Sequence, residues 1–165
     1  MPIPAQCHDF WTAFRSAVGA ADKERLDERF YEAFYFGDSQ ALADELAALV
    51  LQGTKRGTAG SVWSFEAEGK RLPRPGDLSI VTNWAGQPLC VIETLSVDVR
   101  PFNEVSAEFA AIEGEGDGSL AYWQQEHRAY YSRECERTGR TFDERMPVAC
   151  ECFRVVHQVD GDGRA

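Results

Sequence analysis

The segment from Leu51 to Trp63, LQGTKRGTAGSVW, places an amine close to two hydroxyls where a helical pattern ends. Lys55 precedes Thr58 by three residues, and Ser61 follows after three more. A threonine hydroxyl is a poor nucleophile near neutral pH unless a base lies beside it, and a lysine can be that base only when it is neutral. Burial or a nearby cation lowers the pKa of a lysine. The same pattern also fits a solvated lysine beside a threonine, so both interpretations stay open.

Glu93 is the acidic residue that could serve such a lysine. In the predicted strand PLCVIETLSV, Glu93 shares one face with Leu89 and Val91. Carboxylates are rarely buried without a partner, and a lysine is a natural one. We therefore expect Glu93 to meet Lys55, with an edge position that reaches water as the alternative.

Six further residues are candidates for contacting a substrate: Arg56, Ser61, Trp63, Trp84, Tyr131 and Ser132. The two tryptophans could stack on a base, and the tyrosine and serine could line a pocket. By contrast, the segment EGEGDGS over residues 113–119 predicts a capping loop, because its acids would repel phosphate and it lacks a glycine-lysine-serine ending. His127 falls on the apolar face of a predicted helix and is expected to be a core histidine. We expect no metal and no cofactor, since His8 and His157 have no second ligand at a metal spacing.

Composition narrows the class of partner. The 165 residues include 27 acids against 17 lysines and arginines, which gives a net charge of −10. Because backbone binding to nucleic acids depends on many cationic contacts, broad DNA or RNA binding is not expected. A small nucleoside-like ligand or a short single-stranded RNA fits this charge better. No apolar run is long enough for a membrane span, and no secretory signal is recognised. The five cysteines lack framework spacing, so we expect reduced thiols and a cytoplasmic protein.

The periodicity of apolar residues predicts helices in the first half and again after Pro101, with strands between and at the end. Apolar residues four apart predict one helix over residues 22–34 and another that ends near Gly53. Residues 78–102 predict two strands joined by the turn NWAGQP, and MPVACECFRVVHQV predicts a final strand. The segment TAGSVWSFEAEG is expected to be extended. Strands separated by helical blocks of uneven length favour an α+β fold.

Three stretches together resemble the ASCH domain, a family related to the PUA-like RNA-associated fold. They are GDSQALADELAALVLQGTKRGTAGS, PRPGDLSIVTNWAGQPLCVIET and VRPFNEVSAEFAAIEGEGDGSLAYWQQEHRAYY. The resemblance implies a small β-barrel flanked by helices. It also implies three parts: an N-terminal helical extension over residues 1–36, an ASCH domain over 37–158 and a flexible tail over 159–165.

The resemblance further implies an activity. Small members of the family hydrolyse the amide of N(4)-acetylcytidine with a lysine, a threonine and a glutamate, which match Lys55, Thr58 and Glu93 here. The implied mechanism has Lys55 deprotonate Thr58, with Glu93 holding Lys55. Longer members are linked to ribonuclease activity on single-stranded RNA, in which Lys55 would stabilise the phosphate charge and Ser132 or a nearby tyrosine would assist. A third hypothesis is a non-catalytic module that binds RNA or a modified nucleoside.

Overall fold

Six α-helices and five β-strands make up the part of the chain that the computed structural model describes, residues 2–19 and 23–159. The helices are α1 (His8–Ala17), α2 (Lys23–Arg29), α3 (Gln40–Leu51), α4 (Val62–Ala67), α5 (Ala107–Glu113) and α6 (Leu120–Thr138). The strands are β1 (Phe30–Phe34), β2 (Gly57–Ser61), β3 (Leu78–Thr82), β4 (Pro88–Pro101) and β5 (Pro147–Gln158). The α+β class is therefore confirmed. Most of the predicted tail, residues 160–165, lies outside the described residues.

The strands form one mixed sheet in the order β1-β3-β4-β5-β2. β1 is parallel to β3, and the other neighbours are antiparallel. Since β1 and β2 are the two edges, the sheet is open, and closure into a barrel is not confirmed. The long strand β4 pairs with β3 on one side and β5 on the other, so it ties the sheet together.

Two local predictions were wrong. The helical pattern over residues 22–34 ends at Arg29, and the aromatic run that begins at Phe30 becomes strand β1. Aromatic side chains suit a half-buried strand, and pairing with β3 outweighs the four-residue repeat. The extended segment predicted after Thr58 lasts only to Ser61, because helix α4 begins at Val62.

Helices cover both faces of the sheet. Helices α1 and α2 pack with Ile80 and Val91 on one face, and α3 packs with Val81 and Ile92 on the other. Helices α5 and α6 form a third apolar cluster with Val148 of β5. Adjacent residues of β3 thus face opposite layers, as the period of a strand requires.

Helices α3 and α5 both end near the start of β2, and a glycine-containing connection follows each of them. Gly53 has φ 81° and turns the chain from α3 toward Lys55. Gly114 ends α5 in the left-handed conformation, with φ 64°. A Cβ atom at Gly114 would lie 2.3 Å from the carbonyl oxygen of Thr54, so the two connections are in close backbone contact.

Replacing Gly114 with alanine tests this contact. Gly114→Ala combines left-handed strain with a backbone clash and should lower the free energy of unfolding by at least about 3 kcal/mol. Gly118 is the matched control, because its φ is 75° but nothing lies within 4 Å of a Cβ there. Gly118→Ala should cost only about 1 kcal/mol in urea unfolding. Equal costs at the two positions would contradict the close packing.

Candidate functional site

Lys55 lies at the centre of the site and is fully buried. Its side chain is 0% exposed. Its Nζ donates hydrogen bonds to the carbonyl oxygen of Gly57 at 2.7 Å, to Glu113 Oε2 at 2.9 Å and to Glu115 Oε1 at 2.8 Å. An ammonium group has three donors, so all of them are used.

The two carboxylates keep Lys55 protonated. Burial by itself lowers the pKa of Lys55, but the charges of Glu113 and Glu115 outweigh burial and raise it above the ordinary value. Burial raises the pKa of Glu113, but the charges of Lys55 and His127 overcome that effect and hold it well below its usual range. Lys55 and Glu113 are therefore a buried ion pair at neutral pH.

His127 supports Glu113 from the far side. Its ring stacks on Trp123 at 4.1 Å, and Trp123 Nε1 donates to Glu113 Oε1 at 2.9 Å. His127 Nδ1 lies 2.8 Å from the carbonyl oxygen of Trp123, and Nε2 lies 3.4 Å from Glu113 Oε1. Both neighbours accept hydrogen bonds, which favours a proton on each ring nitrogen. Burial lowers the pKa of His127, but Glu113 raises it further than burial lowers it.

Glu115 is the carboxylate of this cluster that reaches toward solvent, with 15% of its side chain exposed. Burial raises its pKa, the charge of Lys55 lowers it and that of Glu113 raises it again, and the net direction is upward. Glu113 is therefore an anion held between Lys55 and His127, whereas Glu115 pairs with Lys55 and also reaches the solvent side of the cluster.

A cavity of about 200 Å³ opens beside the cluster. Lys55, Thr58, Glu113, Glu115 and His127 all line it. Lys55 and Thr58 thus line the same cavity, but the Lys55 ammonium donates to Gly57, Glu113 and Glu115 and not to the Thr58 hydroxyl.

A glutamate of β5, Glu151, lies opposite Thr58 in the sheet. Thr58 and Glu151 are direct partners in the antiparallel pairing of β2 with β5, so their side chains share one face. Glu151 is buried, and Oε1 accepts a hydrogen bond of 2.6 Å from the Thr94 hydroxyl. Burial is the main cause that raises the pKa of Glu151 to about 7, and the charges of Glu32 and Asp77 add to it. This carboxyl group can therefore change its protonation state near neutral pH.

Glu93 does not meet Lys55. Its carboxylate lies 3.1 Å from Arg154 and 3.4 Å from Arg29, two arginines near the sheet surface. The cause is the direction of the side chain: it points to the face covered by α1 and α2, where Arg29 ends α2. The expected Glu93–Lys55 pair is thus replaced by Lys55–Glu113 and Lys55–Glu115.

The other predicted substrate contacts are spread over the molecule. Ser61 is buried and lines a neighbouring cavity, and the guanidinium of Arg140 lies 4.7 Å from the centre of the half-buried Trp63 ring. Trp84 is exposed, and its ring lies 4.7 Å from the ring of Tyr35 at a tilt of 50°; Tyr35 does line the main cavity.

Three predicted residues have other surroundings. Arg56 is exposed, and its backbone joins Ile112 to Phe153 through hydrogen bonds of 2.9 and 3.0 Å. Tyr131 is fully buried, and its hydroxyl donates to the carbonyl oxygen of Ala59 at 3.0 Å. Ser132 is half-buried and does not line the main cavity.

Sequence reasoning missed Glu113, Glu115 and His127 as site residues. The EGEG segment does form a cap, as predicted, since Gly114 ends α5 and Ser119 accepts a hydrogen bond from the Tyr122 N–H. It also delivers two carboxylates to Lys55. The available signal was an excess of acids with no cation nearby in the sequence, which indicates a cation supplied from elsewhere in the fold.

One group of side chains among residues 2–19 and 23–159 has ligand atoms close enough together to hold a metal ion. It consists of Glu113, Glu115 and His127, whose ligand atoms lie within 4.8 Å of one another. The Lys55 ammonium lies within 2.9 Å of an oxygen of each carboxylate. It already supplies the positive charge that a metal ion would bring, and a divalent cation would have to displace it.

Comparison with known proteins supports the resemblance. Residues 32–157 match the model of the ASCH domain. The crystal structure of an ASCH domain from Lactobacillus crispatus JV V101 is 37% identical, with a TM-score of 0.88, covering 96% of this chain and 98% of that one. Protein EF3133 from Enterococcus faecalis V583 is 32% identical, with a TM-score of 0.80 and coverage of 93% and 89%.

A more distant structure, hypothetical protein PH0355, shares the fold at 18% identity and a TM-score of 0.50, covering 77% of this chain and 99% of that one. No curated protein matches this chain. In the described part of the chain, no helix is long and apolar enough to cross a membrane.

Removing the buried ammonium should be costly. Lys55→Met leaves two carboxylates buried without a cation and should lower the free energy of unfolding by about 3–5 kcal/mol at pH 8. The loss should shrink toward pH 5, because the carboxylates of the variant can take up protons, whereas Glu113 of the parent protein stays ionised. Urea unfolding at both pH values measures this.

Two variants control this experiment. Arg100→Met breaks an exposed ion pair with Asp98 and should cost less than about 1 kcal/mol. Adding Glu113→Gln and Glu115→Gln to Lys55→Met should recover most of the stability, since no buried charge is then left unpaired. A Lys55→Met loss independent of pH would contradict the ion-pair interpretation.

For Glu151, the expected change in stability has the opposite sign: removing its charge should stabilise the protein. The folded pKa of about 7 lies above the ordinary glutamate value of 4.5, so the folded state retains a proton that the unfolded state releases. This raised pKa lowers stability as pH rises through that window. Glu151→Gln should therefore be more stable than the parent by roughly 2–3 kcal/mol at pH 8 and similar to it at pH 4.5. Unfolding curves with Glu136→Gln, an exposed control, check this, and a destabilised variant at pH 8 would refute it.

Proposed function

Because this chain belongs to the ASCH domain family, we propose that it hydrolyses the amide of an acylated nucleoside, such as N(4)-acetylcytidine, in the cavity beside Lys55. The observation that carries the proposal is the meeting of a hydroxyl, a buried ammonium and carboxylates around one small cavity. Thr58, Lys55 and Glu115 line it together, and Glu151 faces Thr58 across the sheet.

The size and charge of the cavity favour a single nucleoside over a polymer. Its volume of about 200 Å³ is below the roughly 300–1,000 Å³ typical of pockets for drug-sized ligands. Of the cations that line it, Lys55 is bound to two carboxylates and Arg133 is bound to Asp38 at 2.9 Å. Ribonuclease activity has less support, because a phosphate would find neither cation free and Ser132 lies outside the cavity.

The proposed reaction assigns a separate role to each side chain. Glu151 takes the proton from the Thr58 hydroxyl, whose oxygen attacks the acyl carbon. The C–N bond breaks and the proton passes to the departing amine, which leaves an acyl ester on Thr58. Water activated by Glu151 then hydrolyses the ester, releasing the carboxylic acid and restoring the hydroxyl. A pKa near the operating pH suits a group that both accepts and donates this proton.

Lys55 is a positioning residue in this scheme. Releasing a proton would break up its ion pairs, so it serves by holding Glu115 at the cavity wall. Glu115 then accepts a hydrogen bond from the amide N–H of the substrate. β2 is an edge strand, and its Gly57 and Ala59 carbonyls accept from Lys55 and Tyr131 on the side away from β5. The N–H of Ala59 points the same way and is our candidate donor to the developing oxyanion.

A non-catalytic binding module is the second candidate. It is favoured by the three hydrogen bonds that hold Lys55 in place, since a group fixed in this way can shape a ligand site without taking part in chemistry. A binder would keep its affinity for the nucleoside when Thr58 is replaced by alanine.

The test is turnover of N(4)-acetylcytidine by the purified protein and a set of matched variants. Thr58→Ala should abolish turnover, Thr58→Ser should retain part of it, and Glu151→Gln should lower kcat by about 10²–10⁴-fold. Glu93→Gln is the control and should turn over substrate like the parent, because Glu93 pairs with Arg29 and Arg154.

The set separates the alternatives. Loss of activity in Glu93→Gln with full activity in Glu151→Gln would overturn the role of Glu151 as base and support the Lys55–Thr58–Glu93 site expected from the sequence. Binding without turnover would support the binding module. Cleavage of a short single-stranded RNA without deacetylation would support a ribonuclease.

A further inference from the structure

Two kinds of side chain make up half of the residues that line the main cavity. One kind is aromatic: Phe34, Tyr35, Phe36, Tyr122 and Tyr130. The other is acidic: Glu45, Glu113, Glu115 and Glu126. Aromatic faces and carboxylates both attract positive charge, so the lining has a common electrostatic preference.

The charges of the lining do not balance. Lys55 is matched by Glu113, and Arg133 is matched by Asp38, which its guanidinium contacts at 2.9 and 3.2 Å. Glu45 and Glu126 are exposed at the rim, and neither forms an ion pair with the residues that the structure describes. Even with His127 protonated, the acids that remain exceed the cations.

The excess of negative charge also acts on the Tyr122 hydroxyl. Burial raises the pKa of Tyr122, and the charges of Glu126, Glu45 and Glu115 raise it further. These carboxylates come from α3, α6 and the connection before α6, so three separate elements direct negative charge at one point of the cavity.

The same combination of an aromatic ring and carboxylates already surrounds one cation of this chain, the Lys55 ammonium. The Lys55 ammonium lies 5.1 Å from the centre of the Phe36 ring while it contacts two carboxylates. An aromatic face with carboxylates around it is thus a working cation site at the base of the same cavity.

We propose that the cavity selects a flat ligand with a positive charge, and that the preferred substrate class is a cationic nucleobase, such as a ring-methylated pyrimidine, or its acylated form. The ring would lie against the aromatic wall, with its charge toward Glu45, Glu115 and Glu126. This rests on the proposed function only in taking this cavity as the substrate site.

Three cytidines separate charge from size. 3-Methylcytidine carries a positive charge on its ring at neutral pH, 5-methylcytidine has the same extra methyl group without the charge, and cytidine has neither. Isothermal titration calorimetry with the full chain should give at least about tenfold tighter binding of 3-methylcytidine than of 5-methylcytidine. The preference should weaken as salt rises, because the rim carboxylates are screened.

Rim variants identify the source of the preference. Glu45→Gln combined with Glu126→Gln should reduce the preference by about threefold or more and leave the affinity for cytidine unchanged. Glu136→Gln, on the same helix as Glu126 but outside the cavity, should change neither value.

The outcomes are distinct for the two proposals. Equal binding of the two methylated nucleosides, or binding of neither, overturns the cation preference. Turnover of N(4)-acetylcytidine by that same preparation would still support the hydrolase. A tenfold preference without any turnover would keep the cation preference and assign the cavity to a binding module.

Discussion

A fully buried ammonium is the constraint on which the site depends. Transfer of a lone lysine charge from water to a protein interior costs several kcal/mol, so Lys55 can stay charged only where anions surround it. Glu113 and Glu115 supply those anions, and the carbonyl of Gly57 takes the third hydrogen. The conformation of the surrounding backbone follows from the need to bring these groups to one point.

Two features of the backbone meet that need. Gly114 allows α5 to end in a left-handed turn against Thr54, which brings the carboxylates on both sides of the turn toward Lys55. Trp123 and His127, one turn apart on α6, then hold Glu113 from behind. The end of α5, its glycine turn and the aromatic pair of α6 therefore all stabilise the buried charge of Lys55.

The sheet contributes a carboxyl group of a different kind. Glu151 forms no ion pair with the residues that the structure describes, and its side chain accepts a hydrogen bond from the hydroxyl of Thr94. Burial therefore keeps its proton affinity high and lowers the stability of the fold at neutral pH. A buried group that destabilises its protein is often retained for function. The stable Lys55–Glu113 pair and the poised Glu151 thus flank Thr58 with opposite electrostatic properties.

The sequence by itself determined the α+β class, most of the strands and the capping loop over residues 113–119, and it indicated Lys55 and Thr58 as candidates for one site. Periodicity and cap residues act over a few positions, so they are visible in the sequence. Only the tertiary structure decided the partners of these residues. Glu113 is 58 residues from Lys55, and Glu151 reaches Thr58 through the pairing of β5 with the edge strand β2. Glu93 lies in a strand, as expected, but its side chain is on the face away from Lys55. The sequence does not show which helices cover each face of the sheet, so it could not predict this. The run that begins at Phe30 became a strand for a similar reason, since β3 offered it a partner that no local pattern reveals.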